Sequence, residues 1–398
     1  MTSHDQAADL RTRAWVVIAA LFLSLFVTYG AAGMTLPALF MPLLKHFRVN
    51  RAAISMLIGL EGMAAAVSAP VAGWLLDRIE APSVMAAGTI VTAAALLMAS
   101  RADSFAGLAI AYGVMGLGLS AAALVSCPFV AANWFPDKGK GLALGFTMLG
   151  LSAGGMVMNL AAWYLTAWFG WRACFAVLAT VVIVVMLPII MLVVRSRPPP
   201  LAETERAREI SPVSAELPGL DLNQAFGERS IWLICAVQFL YSFTLFGTFV
   251  HLTPYLIGDG YTAMAATFVL STQIGLAGAG KLGMGWVADR ITARWALLIN
   301  TAVNAISYIL LFHARSAPML AFFVLFYGCT TAAPLALVPM LISESLGLKR
   351  FGSFIGLSTI FAQVGGAIGP VAAGWIFDRN HSYSAAIILF IAFQAFCG

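Results

Sequence analysis

Charged residues are scarce in this chain: Asp, Glu, Lys and Arg make up only 10% of its 398 residues. Soluble domains contain about 25% charged residues, because their surfaces face water. Here 61% of the residues are hydrophobic, and the mean hydropathy is +0.92. The shortage of charge therefore excludes a soluble protein and indicates an integral membrane protein.

Chemical signatures of enzymes are missing as well. The sequence contains neither a GxxxxGK[ST] phosphate loop nor an HExxH zinc motif, and its longest polar stretch is too short for a nucleotide-binding domain. Its five cysteines all lie within apolar runs, which indicates neither a disulfide framework nor a CxxC metal site. We therefore expect a protein that is not an enzyme and that uses no cofactor and no metal.

Long apolar runs, by contrast, fill the sequence. A helix needs about 20 apolar residues to cross the hydrocarbon core of a bilayer, and we count twelve such runs. The first run is too long for a cleavable signal peptide and continues into a normal span. The predicted spans are 14–38, 52–76, 82–101, 104–126, 140–167, 171–194, 230–257, 263–288, 293–313, 317–341, 352–377 and 383–398.

One long polar stretch, rich in Pro, Glu and Arg, interrupts this pattern at residues 195–229. It predicts an N-terminal six-helix half at 1–194, a cytoplasmic linker loop at 195–229 and a C-terminal six-helix half at 230–398. If both termini are cytoplasmic, 14 lysines and arginines fall in inside loops and 7 in outside loops. This bias supports cytoplasmic termini in a bacterial-type inner (plasma) membrane. It also explains the net charge of +5 without nucleic-acid binding.

The two predicted halves repeat each other. With a shift of 211–212 positions, GWLLDR at 73–78 falls on GWVADR at 285–290, and Gly116 falls on Gly328. Two parallel six-helix repeats, related by an axis along the membrane normal, resemble the major facilitator fold, whose substrate site lies at the midplane between the halves. We therefore predict an all-α membrane protein of that fold with twelve transmembrane helices.

The repeated GWxxDR turns predict a conformational latch at the cytoplasmic helix ends. An acid and an arginine there can bind a neighbouring helix terminus in one state and release it in another. The alternative is a charge pair that only marks the membrane interface. A third copy, GWIFDR at 374–379, falls on the outer side. The predicted latch residues are Asp77 and Arg78 in the first turn and Asp289 and Arg290 in the second.

Five further segments of the sequence are distinctive: NRAAIS at 50–55, ANWFPDKGKGLALG at 132–145, FGWRACF at 169–175, VHLTPYL at 250–256 and GPVAAGWIFDRNHSYSAA at 369–386. Each is weak alone. Together and in order, they are similar to the monocarboxylate transporter and oxalate–formate antiporter branch of the major facilitator superfamily, over nearly the whole chain. The resemblance implies transport of small organic anions, often with a proton or by exchange.

Lys281 is the principal candidate for substrate binding. The family usually has an arginine in span eight, four residues before the GW glycine, where it pairs with a substrate carboxylate; the matching position here is Lys281. A lysine offers a point charge and lacks the bidentate guanidinium. Monocarboxylate transporters often have a second cation in span one, and oxalate-type exchangers have one in span eleven. The corresponding residues here are Gly33 and, approximately, Gln363, so the single cation favours a substrate with one carboxylate. Snorkelling or a structural pair is the alternative role for Lys281.

Two residues are candidates for proton coupling. Glu61 is the only acidic residue deep inside a span, and an isolated carboxylate in hydrocarbon favours its neutral form. His251 lies towards the outer end of span seven, where Pro254 is expected to break the helix. Histidine can gain or lose a proton near neutral pH. For each residue the alternative is a static hydrogen bond.

Four more side chains are predicted to line the substrate cavity, with ordinary packing as the alternative for each. They are Tyr29, Tyr112, Asn304 and Tyr327.

The sequence as a whole predicts a secondary transporter of organic monocarboxylates such as lactate or pyruvate. We expect proton symport by alternating access in a monomer, whose partners are a small organic anion, a proton and the lipid bilayer. The alternatives are an organic-anion exchanger of the oxalate–formate kind and an efflux carrier for another solute. A membrane sensor that transports nothing is the most remote alternative.

Overall fold

The computed structural model describes residues 3–76, 78–135, 140–197, 222–313, 316–346 and 351–397. In these ranges the chain is helical and contains no strand, because backbone groups inside hydrocarbon must be hydrogen-bonded within their own segment. Nine of the described helical segments are long and apolar enough to cross a membrane. One of these, Ala143–Val193, is divided at Gly170, and three shorter apolar helices form two more spans.

The twelve predicted spans are thereby confirmed, and we number them α1 to α12. A short helix, Leu222–Gly227, precedes α7. The bounds are α1 Thr12–Phe47, α2 Arg51–Leu76, α3 Ala81–Ser100, α4 Phe105–Ala131, α5 and α6 within Ala143–Val193 on either side of Gly170, α7 Arg229–Gly258, α8 Ala263–Ile291, α9 Ala293–Phe312, α10 Ala317–Thr330 with Pro334–Leu346, α11 Phe351–Asn380 and α12 Ser384–Cys397.

Two helices differ from their predicted form. We predicted that α1 ends at residue 38, but the helix is interrupted only at Met34 and Thr35 and resumes as Leu36–Phe47. We also expected Pro254 to break α7, whereas α7 continues through it to Gly258. Proline is tolerated inside membrane helices because neighbouring groups satisfy the freed carbonyl.

Gly170 makes the turn between α5 and α6. Its φ of +81° lies in the left-handed region, which glycine enters without steric cost. After this turn the two helices pack side by side, since Sγ of Cys174 lies 3.7 Å from the carbonyl oxygen of Ala162. One glycine therefore separates two spans without a longer loop.

The sequence repeat has a counterpart in helix packing. A Cβ added at Gly116 of α4 would collide with the carbonyl oxygen of Glu61 in α2. A Cβ added at Gly328 of α10 would lie 3.3 Å from the carbonyl oxygen of Gln273 in α8. Both members of the second pair follow the first by the same sequence shift. The two halves therefore use the same glycine position to pack corresponding helices.

Contact between the two halves is close at one end of the bundle. We call the end with Val194 and Arg229 the linker side and the opposite end the far side. Towards the far side, a Cβ added at Gly59 of α2 would lie 3.4 Å from Cβ of Ala367 in α11. Towards the linker side, one added at Gly73 of α2 would meet no atom of the described residues within 4 Å. The halves thus pack closely on the far side, and Gly73 makes no corresponding close contact nearer the linker side.

Candidate functional site

Lys281 lies on α8 at the interface between the halves. Its side chain is half-buried, and Nζ donates a long hydrogen bond of 3.4 Å to Oγ of Ser152 in α5. Ser152 is buried. Among the described residues, no carboxylate forms an ion pair with Lys281. The lysine therefore meets the N-terminal half through a neutral hydroxyl group.

Small residues of α8 fix the position of Lys281. A Cβ added at Gly280 would collide with the backbone of Cys329 in α10, so one face of α8 lies tightly against its own half. A Cβ added at Gly278 would lie 3.4 Å from Cβ of Ser152, so the adjoining face lies against α5. A larger residue at Gly280 would therefore displace α8 and carry Lys281 with it, whereas at Gly278 the side chain of Leu149 could shift instead.

Glu61 lies beside the break in α1. Its side chain is only 6% exposed. Its Oε1 and Cζ of the Tyr29 ring both lie 3.1 Å from where a Cβ at Gly33 would be. Glycine at this position therefore leaves room for both the acid and the ring. Oε2 of Glu61 has no hydrogen-bond partner among the described residues, so it can accept or share one more proton.

The structure does not bring Glu61 and Lys281 into contact. The break in α1 reaches the interface at Gly155 of α5, where an added Cβ would lie 3.1 Å from Cγ of Met34 and 2.9 Å from Cγ2 of Ile274. Lys281 is seven residues further along α8 than Ile274, or about 10 Å at 1.5 Å per residue. The acid and the cation therefore occupy different depths of one interface, with Lys281 nearer the linker side.

Three predicted cavity residues are packed inside their own halves. Tyr112, Asn304 and Tyr327 are 0%, 1% and 1% exposed. Nδ2 of Asn304 donates to Oγ1 of Thr330 at 3.1 Å, and the Tyr327 hydroxyl accepts from that of Tyr308 at 3.2 Å. The geometry favours the packing alternative for these three residues. Of the four, only the half-buried Tyr29 keeps accessible surface.

His251 is the centre of a network on the far side. Its Nδ1 lies 2.8 Å from the hydroxyl of Tyr383 and its Nε2 lies 2.8 Å from the carbonyl oxygen of Pro370. Nε2 also lies 2.9 Å from Oγ of Ser55 in α2. A neutral ring with its proton on Nε2 satisfies these contacts, with Nδ1 accepting from the tyrosine. The buried histidine thereby joins α7 to α11 and α2.

Arg51 and Asp378 extend this network, although we did not predict them as site residues. The carboxylate of Asp378 accepts hydrogen bonds of 3.2 Å from the backbone N–H groups of Arg51 and Ala52. It therefore caps the first turn of α2, where free N–H groups and the helix dipole favour an anion. Nη1 of Arg51 donates to the hydroxyl of Tyr383 at 2.6 Å. The signal in the sequence is the third GWxxDR copy, to which Asp378 belongs.

The predicted latch is described only in part. Asp77 lies outside the described residues, and so does the side chain of Asp289. Arg78 and Arg290 are exposed. Each guanidinium lies over the tryptophan of its own GWxxDR turn, 4.2 Å and 3.7 Å from the ring centroid. A switching contact at these two turns stays a prediction.

These features define a class of protein. Within the described part of the chain, no group of three or more His, Cys, Asp and Glu side chains could hold a metal ion. The bundle has two repeated halves that meet at an interface with polar positions and pack closely on the far side, and such a two-half architecture is that of secondary transporters. The sequence profile of the Major Facilitator Superfamily matches residues 21–283 and 260–398, and the chain belongs to this family.

Similar proteins agree with this class. The uncharacterized MFS-type transporter YcxA of Bacillus subtilis (strain 168) is 25% identical over 403 residues, with 94% of this chain and 92% of the relative covered. Monocarboxylate transporter 12 of Mus musculus is 24% identical, with 94% and 82% covered. A crystal structure of a bacterial homologue of the human lysosomal transporter Spinster, inward-facing and unoccupied, is similar with a TM-score of 0.76. It is 16% identical, with 97% of this chain and 94% of that chain covered, and the likeness concerns the fold alone.

Proposed function

We propose that this protein is a secondary active transporter of small organic monocarboxylates, such as lactate or pyruvate, which works by proton symport and alternating access. The observation that carries the proposal is the surroundings of Lys281, a half-buried cation whose described partner is a serine hydroxyl. A lysine at the centre of a membrane helix costs about 3 kcal/mol on insertion scales. A substrate carboxylate at Nζ would supply the missing anion.

The charge of the site supports a substrate with one carboxylate. Lys281 is the only lysine or arginine deep within a span, so a dicarboxylate would leave one charge unmatched in a medium of low polarity. The similarity to monocarboxylate transporter 12 supports the same class of substrate. Because an ammonium group is a point charge, recognition would depend on the charge of the acid more than on bidentate geometry.

Glu61 is the proposed proton carrier. Its unbonded Oε2 and its place beside Tyr29 and the break in α1 support this role. A carboxyl group is neutral when protonated and charged when deprotonated. The two forms favour different surroundings. Since Glu61 and Lys281 lie at different depths, the proton and the substrate would bind separately. Coupling between proton and substrate transport would then come from the conformational change of the whole interface between the halves.

The orientation in the membrane is also part of the proposal. We place the linker side and both termini in the cytoplasm of a bacterial-type cell, with the halves at 1–194 and 230–398 and the linker at 195–229. The close packing of Gly59 against Ala367 on the far side supports a monomer whose outer side is closed in this orientation. The GWxxDR turns with Arg78 and Arg290 would then close the cytoplasmic side in the opposite state.

Uptake into proteoliposomes tests the proposed function. Labelled lactate, pyruvate, oxalate and benzoate would be offered with and without an acidic outside solution. Symport predicts accumulation of lactate or pyruvate that depends on the pH gradient and stops when a protonophore is added. An exchanger would instead need a second anion inside the vesicles and would ignore the gradient. A carrier for another solute would take up none of the four, and a sensor would bind without uptake.

A further inference from the structure

A cavity of about 1150 Å³ lies on the linker side of the N-terminal half. The start of α1, the turn between α2 and α3, and the ends of α4 and α6 form its walls. Neither Lys281 nor Glu61 lines it, so the proposed transport site does not account for it. The charged and aromatic residues that line it include Arg13, Arg78, Glu80, Trp134, Arg195 and Arg197.

Among the described residues that line this cavity, positive charge is in excess. Four arginines line it together with one glutamate, and Glu80 already accepts a hydrogen bond from the hydroxyl of Ser196. Among the described residues, Arg78, Arg195 and Arg197 take part in no ion pair. Nη1 of Arg195 donates to the carbonyl oxygens of Met191 and Val194 at 3.3 Å and 3.2 Å. The other N–H groups of Arg195 and those of Arg78 and Arg197 are therefore the donors available for an anion.

Hydrogen bonds hold the wall that carries two of these arginines. Nε1 of Trp134, three residues beyond Ala131 in the helical turn that continues α4, donates to the carbonyl oxygen of Arg195 at 2.8 Å. The backbone N–H of Ala81, at the start of α3, donates to Oγ of Ser196 at 2.8 Å. The chain that follows α6 is thus tied to two neighbouring helices, and the arginines are presented by a fixed backbone.

The remaining wall of the cavity is apolar and open to the surroundings. Leu192 is 75% exposed and Val16 is 51% exposed, and both belong to membrane-spanning helices. Met191, beside them, is exposed as well. In a bilayer, such side chains at the rim of a span face the acyl chains of lipids. The cavity therefore combines a cationic end with a lipid-facing wall.

We propose that this cavity binds the phosphodiester headgroup of an anionic phospholipid from the leaflet on the linker side. Arginine bonds the oxygens of a phosphate through its planar fork, and basic pockets between membrane helices attract anionic headgroups. The acyl chains would lie along Val16, Met191 and Leu192, which a free phosphate would not use. The general preference of arginine for the cytoplasmic side explains its abundance there but not the meeting of four arginines in one cavity.

Lipid binding by the purified full-length chain tests this proposal. The probes are phosphatidylglycerol, phosphatidylcholine and inorganic phosphate, and the readouts are native mass spectrometry and the unfolding temperature. Phosphatidylglycerol should remain bound and raise the unfolding temperature in a saturable way, because a ligand stabilises the state that binds it. The triple variant Arg78→Gln/Arg195→Gln/Arg197→Gln should bind it at least tenfold more weakly. The corresponding triple change to lysine should recover most of that binding.

Arg290→Gln is the matched control, because Arg290 stacks over a tryptophan as Arg78 does but does not line this cavity. It should bind phosphatidylglycerol as the wild type does. Equal binding by the triple glutamine variant and the wild type would overturn the proposal, and so would equal stabilisation by phosphatidylcholine. Saturable binding of inorganic phosphate with the affinity of phosphatidylglycerol would overturn the lipid assignment in favour of a free anion. If the triple variant does not fold, Arg197→Gln replaces it, with a threefold loss expected and an unchanged affinity contradicting the proposal.

Discussion

At the scale of single residues, the buried acid and the buried cation have different surroundings. Lys281 has a serine hydroxyl 3.4 Å away, whereas one oxygen of Glu61 has no described partner at all. A charge inside a membrane must reach water, find a counter-ion or become neutral. We expect Lys281 to use the substrate as its counter-ion and Glu61 to become neutral by taking up a proton.

Substitution of Lys281 tests the first expectation. Lys281→Ala should abolish saturable binding of a monocarboxylate and leave folding and membrane insertion intact, because the charge that selects the acid is lost. Lys281→Gln should behave in the same way, while Lys281→Arg should keep charge recognition with an altered affinity, since its guanidinium is larger and planar. The measurement is a thermal-shift titration with lactate or pyruvate. A wild-type shift in Lys281→Ala would show that the lysine is not the anion site.

Ser152→Ala is the control for this series. It removes the hydroxyl that Nζ contacts but keeps the charge. Because a hydrogen bond from a charged donor contributes about 1.5–3 kcal/mol and this one is long, at 3.4 Å, the affinity for the acid should change by about tenfold or less. Complete loss of binding in Ser152→Ala would mean that the α5–α8 contact itself, and not the lysine alone, forms the site.

Substitution of Glu61 tests the second expectation. Glu61→Gln imitates the protonated acid, so it should keep substrate binding and exchange while the response of net uptake to a pH gradient becomes weaker. Initial uptake rates in proteoliposomes, with and without the gradient, measure this. Asp103→Asn is the control, since Asp103 lies at an exposed ion pair with Arg172 on the far side. If Glu61→Gln follows the gradient as the wild type does, Glu61 has a structural role.

At the scale of helices, glycine decides how closely the spans approach each other. A Cβ added at Gly154 of α5 would collide with the carbonyl oxygen of Phe26 in α1, and one at Gly369 of α11 would collide with that of Phe243 in α7. The first contact lies within the N-terminal half and the second within the C-terminal half. These glycines therefore hold each half together as a unit, as small residues do at helix interfaces in membranes.

Two glycines of α4 provide a matched test of this close packing. An added Cβ at Gly116 would collide with the backbone of Glu61, whereas one at Gly113 would meet no atom of the described residues within 4 Å. Gly116→Ala should therefore destabilise the protein by about 1–3 kcal/mol, the usual range for overpacking. Gly113→Ala should be neutral or slightly stabilising, because alanine loses less backbone entropy than glycine in a helix. Unfolding curves in detergent compare them, and equal effects would contradict the packing argument.

At the scale of the whole molecule, the closed far side is held by contacts between the halves. The carboxylate of Asp378 caps α2, and His251 bonds Ser55 of the same helix. Alternating access requires these bonds to break when the far side opens. Their partners come from spans two, seven and eleven, so the network can hold the two halves together in one state and release them in the other.

A disulfide across the far side tests whether opening is needed for transport. In a variant without the five native cysteines, Gly59→Cys and Ala367→Cys should form a disulfide readily, since the Cβ positions are 3.4 Å apart, close to the usual separation. Oxidation should lower uptake to background because the far side cannot open, and a reductant should restore it. The two single-cysteine variants should be insensitive to oxidation. Uptake at the wild-type rate by the oxidised double variant would contradict alternating access at this contact.

The sequence by itself determined the number of spans, the repeat and the family. Each of these depends on local hydropathy or on residue identity along the chain, and the bilayer imposes the same helical solution on every sufficiently apolar run. The positions of Lys281 and Glu61 within spans could also be predicted, because a charged residue is easily recognised within an apolar run of sequence. Prediction failed at the break in α1 and at Pro254, where neighbouring helices decide whether a local interruption ends a helix.

Only the tertiary structure decided which side chains meet. Spans that are apolar all round carry no pattern that identifies the face turned to a neighbour. The sequence therefore left a cavity role and ordinary packing open for Tyr112, Asn304 and Tyr327, and the structure places each against residues of its own half. The contact of Arg51 with Asp378 joins residues 327 positions apart. It depends on how two halves approach across the bilayer, and no local property of either segment specifies that approach.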